Sequence, residues 1–145
     1  MITLLDLYYE DSKAKMGLML KDKKNVEEII RMDIQVSFEY EFSVVKSDIV
    51  WTKEDIDLLK EQIYAIPSES TVGTIALLEP DLTFTYIKNY EEENKKLSLY
   101  VTIDSGLVNS HMGTETGPTL KIITTEDNLI KWIDNVEYSF LGESN

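Results

Sequence analysis

The 145-residue chain contains no cysteine. That excludes disulfides, thiolate catalysis and cysteine-ligated zinc, and it suits a reducing compartment, so a cytoplasmic location is expected. Histidine occurs once, at His111, so a transition-metal site would have to be built mostly from carboxylates. Three prolines and six glycines leave few explicit breakpoints. No apolar run is long enough to span a bilayer. Residues 1–9 lack a basic leader and a small-residue cleavage site, and no signal peptide is expected. Bases are scarce too: 14 Lys and Arg stand against 27 Asp and Glu, a net charge of −13.

That deficit is uneven. Residues 1–31 balance six acids with six bases, whereas residues 32–93 carry 14 acids and four bases, a net of −10. Residues 94–145 add seven acids and four bases. Such a field repels nucleic acid and anionic membrane and draws basic partners. The plainer alternative is that it serves solubility alone.

The length and the 43% hydrophobic content fit one domain, residues 1–145, with a real core. Residues 32–44 alternate without a break. Met32, Ile34, Val36, Phe38, Tyr40, Phe42 and Val44 are apolar or aromatic, and Asp33, Gln35, Ser37, Glu39, Glu41 and Ser43 are polar. The spacing predicts one long strand with a buried and a wet face. Residues 2–9 and 15–20 read as shorter strands and residues 21–25 as a charged turn. Thr52 with Asp55 three residues on is an acidic capping box, and Trp51 and Ile56 have hydrophobic-staple spacing. Ile56, Leu59, Ile63 and Ile66 then mark a helical face, ended by Pro67. Residues 72–79, 82–87 and 97–103 read as an antiparallel meander. Residues 104–118 hold three glycines and read as a loop, followed by a strand over 119–124. A second helix is capped by Thr124 or Thr125, lined by Leu129, Ile133, Val136 and Phe140, and ended by Gly142. No internal repeat shows. The expected fold is α+β: an antiparallel sheet of about six strands with two amphipathic helices packed on one face.

Chemistry is sparse. A triad would have to combine His111 with Ser105 or Ser110 and Asp104, without a nucleophile-elbow motif to support it. Glu91, Glu92 and Glu93 are consecutive and cannot all turn toward one ion, unlike the spaced ligands of a calcium loop. Glu79, between Leu78 and Pro80, reads as a turn residue. Trp51 and Trp132 read as core. No cofactor, no metal site and no catalytic set is expected. The candidate partner-binding residues are Glu39 and Glu41 on the wet face of the long strand, Glu91, Glu92 and Glu93 in a strand connection, and Asp104 at a strand end.

The second half has a recognisable order: a helix after Trp51-Thr52, then ALLEPDLTFTYIK, a charged loop, KLSLYVTID, a Gly-rich loop and TLKIITTEDNLIKWIDNV. Over roughly residues 50–140 this resembles the WapI-type family of small bacterial immunity proteins. The matching positions are Glu79, Pro80, Asp81, Leu82 and Phe84, with Leu129 and Trp132 in the last helix. The resemblance implies an intracellular, non-enzymatic inhibitor that neutralises a toxin domain made by the same cell, with the Glu79–Phe84 stretch acting as a structural turn. The acidic charge agrees with a basic protein partner, such as a nuclease domain, and with no nucleic-acid or membrane target. Two alternatives remain: a nucleic-acid mimic that inhibits a nuclease, from a phage or mobile element, and a small hydrolase using loop acids near Asp104.

Overall fold

Thr52 and Thr125 do the same job twice: each closes a four-stranded antiparallel sheet and caps the helix that follows. The computed structural model describes residues 1–75, 77–78, 81–89, 95–104 and 117–142. The first sheet is a meander of β1 (Ile2–Leu5), β2 (Lys15–Val26), β3 (Ile29–Tyr40) and β4 (Ser43–Thr52), in that spatial order. A one-turn helix, α1 (Tyr9–Ser12), sits between β1 and β2. Helix α2 (Lys53–Ala65) follows β4 and tightens into a 3-10 turn, Ile66–Ser68, at Pro67. The second sheet repeats the plan with β5 (Val72–Ile75), β6 (Leu82–Lys88), β7 (Lys96–Ile103) and β8 (Thr119–Thr125), followed by α3 (Glu126–Leu141).

The fold is thus α+β with antiparallel sheets, as expected. The single sheet of about six strands is corrected: the described residues form two sheets of four strands, with three α-helices rather than two. Two local features explain the difference. Residues 21–25 are not a turn: β2 runs through them, paired with β3 beyond a register shift between Leu20 and Asp22. The alternating run 32–44 is not one strand either, because it folds back at Glu41-Phe42. The hairpin turns use Glu27 and Glu28 (φ 50° and 70°) and Glu41 (φ 52°) in the left-handed region, where Gly or Asn is the usual choice. No turn residue announces them.

Both sheets and both long helices feed one cluster of buried residues. Met16, Leu18, Met32, Ile34, Val36, Ile49 and Trp51 come from the first sheet, and Phe84, Leu97, Leu99, Val101 and Ile122 from the second. Ile56, Leu59 and Ile63 of α2 and Leu129, Trp132, Ile133 and Val136 of α3 pack against them. Both tryptophans are therefore core, and Trp132 lies 6.2 Å from the Phe84 ring.

Buried polar groups tie the two halves together. The Asp6 carboxylate, 6% exposed, accepts hydrogen bonds from Tyr8 N (3.1 Å), Ser12 Oγ (2.8 Å) and Ile123 N (2.6 Å). Leu7 N donates to Ile123 O at 2.7 Å. This short bridge joins the chain leaving β1 to β8. On the other side, Asp55 closes the capping box with Thr52 and also accepts from Leu78 N at 2.9 Å. Asp81 accepts from Val50 N at 3.3 Å. Among the described residues no helix is long and apolar enough to cross a membrane.

Candidate functional site

The alternation of β3 sets the geometry of the candidate site. Met32, Ile34, Val36 and Phe38 are buried, as expected. Ser37 is buried as well, because Gly17 lies across from it and Met1 packs over that spot. Beyond Phe38 the expectation fails. Tyr40 and Val44 are exposed and Phe42 is completely so, at 101%. The β3–β4 hairpin outruns the core here, so the same period continues with nothing to cover it.

The sequence-derived acids are distributed as follows. Glu39 lies opposite Lys15 in the β2–β3 ladder and forms an ion pair with it at 3.0 Å. Glu41 is exposed at the turn. Asp104 is 3% exposed at the end of β7, its backbone N–H bonded to Asp81 O at 2.9 Å. It is enclosed rather than on a surface with Glu39 and Glu41. Glu91, Glu92 and Glu93 fall outside the described residues, as do Glu79, Pro80, Ser105, Ser110 and His111. The connection that contains Glu91–Glu93 joins β6 to β7, and its base is closed by Asn89 N donating to Lys96 O at 3.0 Å. Asp104 leaves the opposite end of β7, about 27 Å away for eight residues of strand. Of the described acids, Glu39 and Glu41 thus belong to the first sheet and its hairpin, and Asp104 ends a strand of the second.

One end of the molecule brings Glu39 toward the base of the β6–β7 connection. Lys96 Nζ donates to Tyr8 OH at 2.7 Å, and Lys13 and Lys15 lie over the Tyr9 ring at 5.4 and 5.9 Å. Lys15 in turn holds Glu39. The base of the β6–β7 connection and the Glu39 end of the first sheet are thus bridged by Tyr8, Tyr9 and their lysines.

A second polar cluster, which sequence reading missed, lies between the long helices. Lys60 Nζ donates to Glu137 Oε1 at 2.9 Å and stands 3.7 Å from Asp134, and Tyr64 OH donates to Asp134 at 2.6 Å. The hydrogen bond to Glu137 holds Lys60 above its ordinary pKa, against the opposing effect of burial. Donation to Asp134 likewise holds Tyr64 above its own. Both groups are locked in their protonated forms at neutral pH, so neither is poised to act as a base or nucleophile. Their role is to join α2 to α3. Helical i,i+4 spacing of Lys60 and Tyr64 was visible in the sequence, but the partners on α3 were not.

The described residues also form shallow clefts. One of about 190 Å³ lies between α2 and β5, with Gln62, Glu69, Thr74 and Tyr86 in its wall. Another of about 340 Å³ combines Lys88, Lys95 and Lys96 with Glu69 and Glu126, a mixed lining that selects neither ionic sign. Among the described residues no three His, Asp or Glu side chains group to hold a metal ion. Of the stretch carrying the family resemblance, Asp81 tethers Val50 while Leu82 and Phe84 are buried, which makes these three structural. A scan against protein-family models finds no match, and no curated protein matches the sequence.

Proposed function

We propose that this chain acts by binding: it is an acidic, non-catalytic inhibitor of the immunity-protein kind that occupies a basic toxin domain in the cytoplasm of the cell that makes both. The observation that carries this reading is the charge, −13 overall with −10 in residues 32–93. A field of that size speeds encounter with a cationic surface and discourages wrong partners. In support, Glu27, Glu28, Asp33 and Glu41 have no cation within ion-pair distance among the described residues, so their charge is available to a partner. Glu41 and the Glu91–Glu93 segment act as rim charges in this reading. Their reversal slows association and leaves dissociation largely unchanged.

The test begins with the tagged chain in its native cells. The protein that co-purifies with it is identified and expressed with and without the chain. The reading requires a basic protein whose toxicity is suppressed by co-expression. If the recovered protein is not basic, or its toxicity is unchanged by the chain, the reading is wrong.

A further inference from the structure

The first sheet leaves two stretches without a neighbouring strand: β2 beyond Leu18, where β1 stops, and the outer side of β4. In an antiparallel ladder, the N–H and C=O of one residue point the same way, and those of its neighbours point the other way. The β3–β4 register runs from Arg31↔Thr52 to Tyr40↔Ser43 without a shift. Val50 N leaves the ladder to reach Asp81 Oδ2, so Val50 points outward. By the same alternation Val44, Lys46 and Asp48 point their backbone N–H and C=O groups outward too. Among the described residues those backbone groups have no hydrogen-bond partner. Residues 43–46 and 48 are exposed, and Val44 and Val45 bring β-branched side chains that suit strand pairing.

Other edges are managed. Past the end of β1, β2 carries Lys21, Lys23 and Lys24, and Lys23 Nζ donates to Phe140 O of α3 at 3.0 Å; the chain leaving β1 engages β8 through Asp6 and Leu7, β5 is only four residues long, and Asp81 covers β4 at Val50. Natural sheets blunt exposed edges because they template pairing. Residues 43–48 have one lysine as a guard. At their head stands Phe42, fully exposed, next to a glutamate held in the left-handed region. A glutamate at a turn position where Gly or Asn would be less strained is a local sacrifice of stability. Such sacrifices concentrate where function requires them.

We propose that the edge of β4 over residues 43–48 takes up an extended segment of a basic protein partner as a fifth strand of the first sheet, with Phe42 as its apolar anchor. This rests on the binding role proposed above and names the surface that performs it. Backbone hydrogen bonds supply affinity in strand addition, and pockets for alternate side chains supply specificity. Charge selects the occupant. A second copy would bring another −13 and, in the register centred on Lys46, set lysine against lysine. A cationic segment meets the attractive field instead.

The experiment uses the full chain and the basic protein recovered from native cells and then expressed alone. Amide hydrogen exchange is followed residue by residue. In the free chain, the amides of Val44, Lys46 and Asp48 exchange fast and those of Val45 and Ser47 slowly. In the complex, the three fast amides become protected. Val44→Pro removes an outward N–H without breaking a β3–β4 bond or changing charge, so the hairpin survives. It should speed dissociation about tenfold, and Phe42→Ser about thirtyfold, with association unchanged. If the basic protein binds but the three amides stay fast and Val44→Pro is silent, the edge proposal is overturned while the binding role stands. If no basic protein binds, both fall. If the amides become protected with rising concentration of the chain alone, the edge serves self-association and the proposal is likewise overturned.

Discussion

Removing one carboxylate oxygen from Asp6 should destabilise the chain severely although it barely changes volume. Asp6 sits outside every regular element, yet its two oxygens accept three hydrogen bonds from Tyr8 N, Ser12 Oγ and Ile123 N. In Asp6→Asn one oxygen can still serve Ile123. The new amide NH₂ then points at the Tyr8 N–H, a donor facing a donor, and the Ser12 hydroxyl must rotate. Hydrogen bonds to a charged group contribute about 1.5–3 kcal/mol each, and a buried donor left unpaired costs about 1–3 kcal/mol. With two bonds disturbed and some relaxation, the expected loss is about 2–4 kcal/mol. Asp6→Ala strips all three and should cost about 3–5 kcal/mol. For a chain of this size each kcal/mol lowers Tm by about 3 °C. Urea unfolding followed by circular dichroism should show a lower midpoint with an unchanged slope. In the Ala variant the Ile123 amide should also lose exchange protection, since its acceptor is gone. A loss below about 0.5 kcal/mol for both variants would refute the idea that Asp6 bolts the two sheets together.

The helix–helix cluster gives two further expectations. Lys60 is 19% and Glu137 5% exposed at the side chain, so Lys60→Met leaves a carboxylate enclosed without its partner. It should cost about 2–3 kcal/mol in urea unfolding, discounted for the exposure of Lys60, and adding Glu137→Leu should recover most of that. If the double variant is as unstable as the single one, the pair is not the cause. The pH dependence follows from the raised pKa values of Lys60 and Tyr64. Groups whose folded pKa is raised stabilise fully below their ordinary values, near 10.5 and 10.0, and lose that contribution as pH climbs through the folded values. Stability should therefore fall above about pH 10 and be flatter there in a Lys60→Met/Tyr64→Phe variant, by about 1 kcal/mol or less because Tyr64 is half exposed. At the β2–β3 turn, Glu27→Asn with Glu28→Gly should raise stability by about 1–2 kcal/mol, since both residues have positive φ. An unchanged or lower urea midpoint would contradict the strain assigned to that turn.

Much of the fold could be read locally. The Thr52–Asp55 capping box, the end of α3 at Gly142 and the meander through 82–103 all depend on residues within a few positions of one another. What escaped was set through space. Lys21–Asn25 reads as a charged turn by composition but is held extended by pairing with β3. Glu41-Phe42 has no turn chemistry, so the alternation ran straight through it. Two sheets could not be told from one, because the joint depends on Asp6 meeting Ile123, 117 positions away. The repeated sheet-then-helix plan is likewise carried by architecture and by the paired threonine caps rather than by recurring sequence. For the candidate site, the exposure of Glu41 was legible, but the burial of Asp104 was not, since a terminal acid after Ile103 looks like a strand end in solvent. The open edge of β4 was hidden for the same reason as the turn before it.

The central claim is electrostatically steered binding, and it is tested most directly by the association rate of the chain with its basic partner at two ionic strengths. Between about 0.01 M and about 0.15 M salt the screening length falls from about 30 Å to about 8 Å. The account predicts an association rate at least about tenfold lower at the higher salt, with little change in dissociation. An association rate indifferent to salt would contradict it and move recognition onto apolar contact alone.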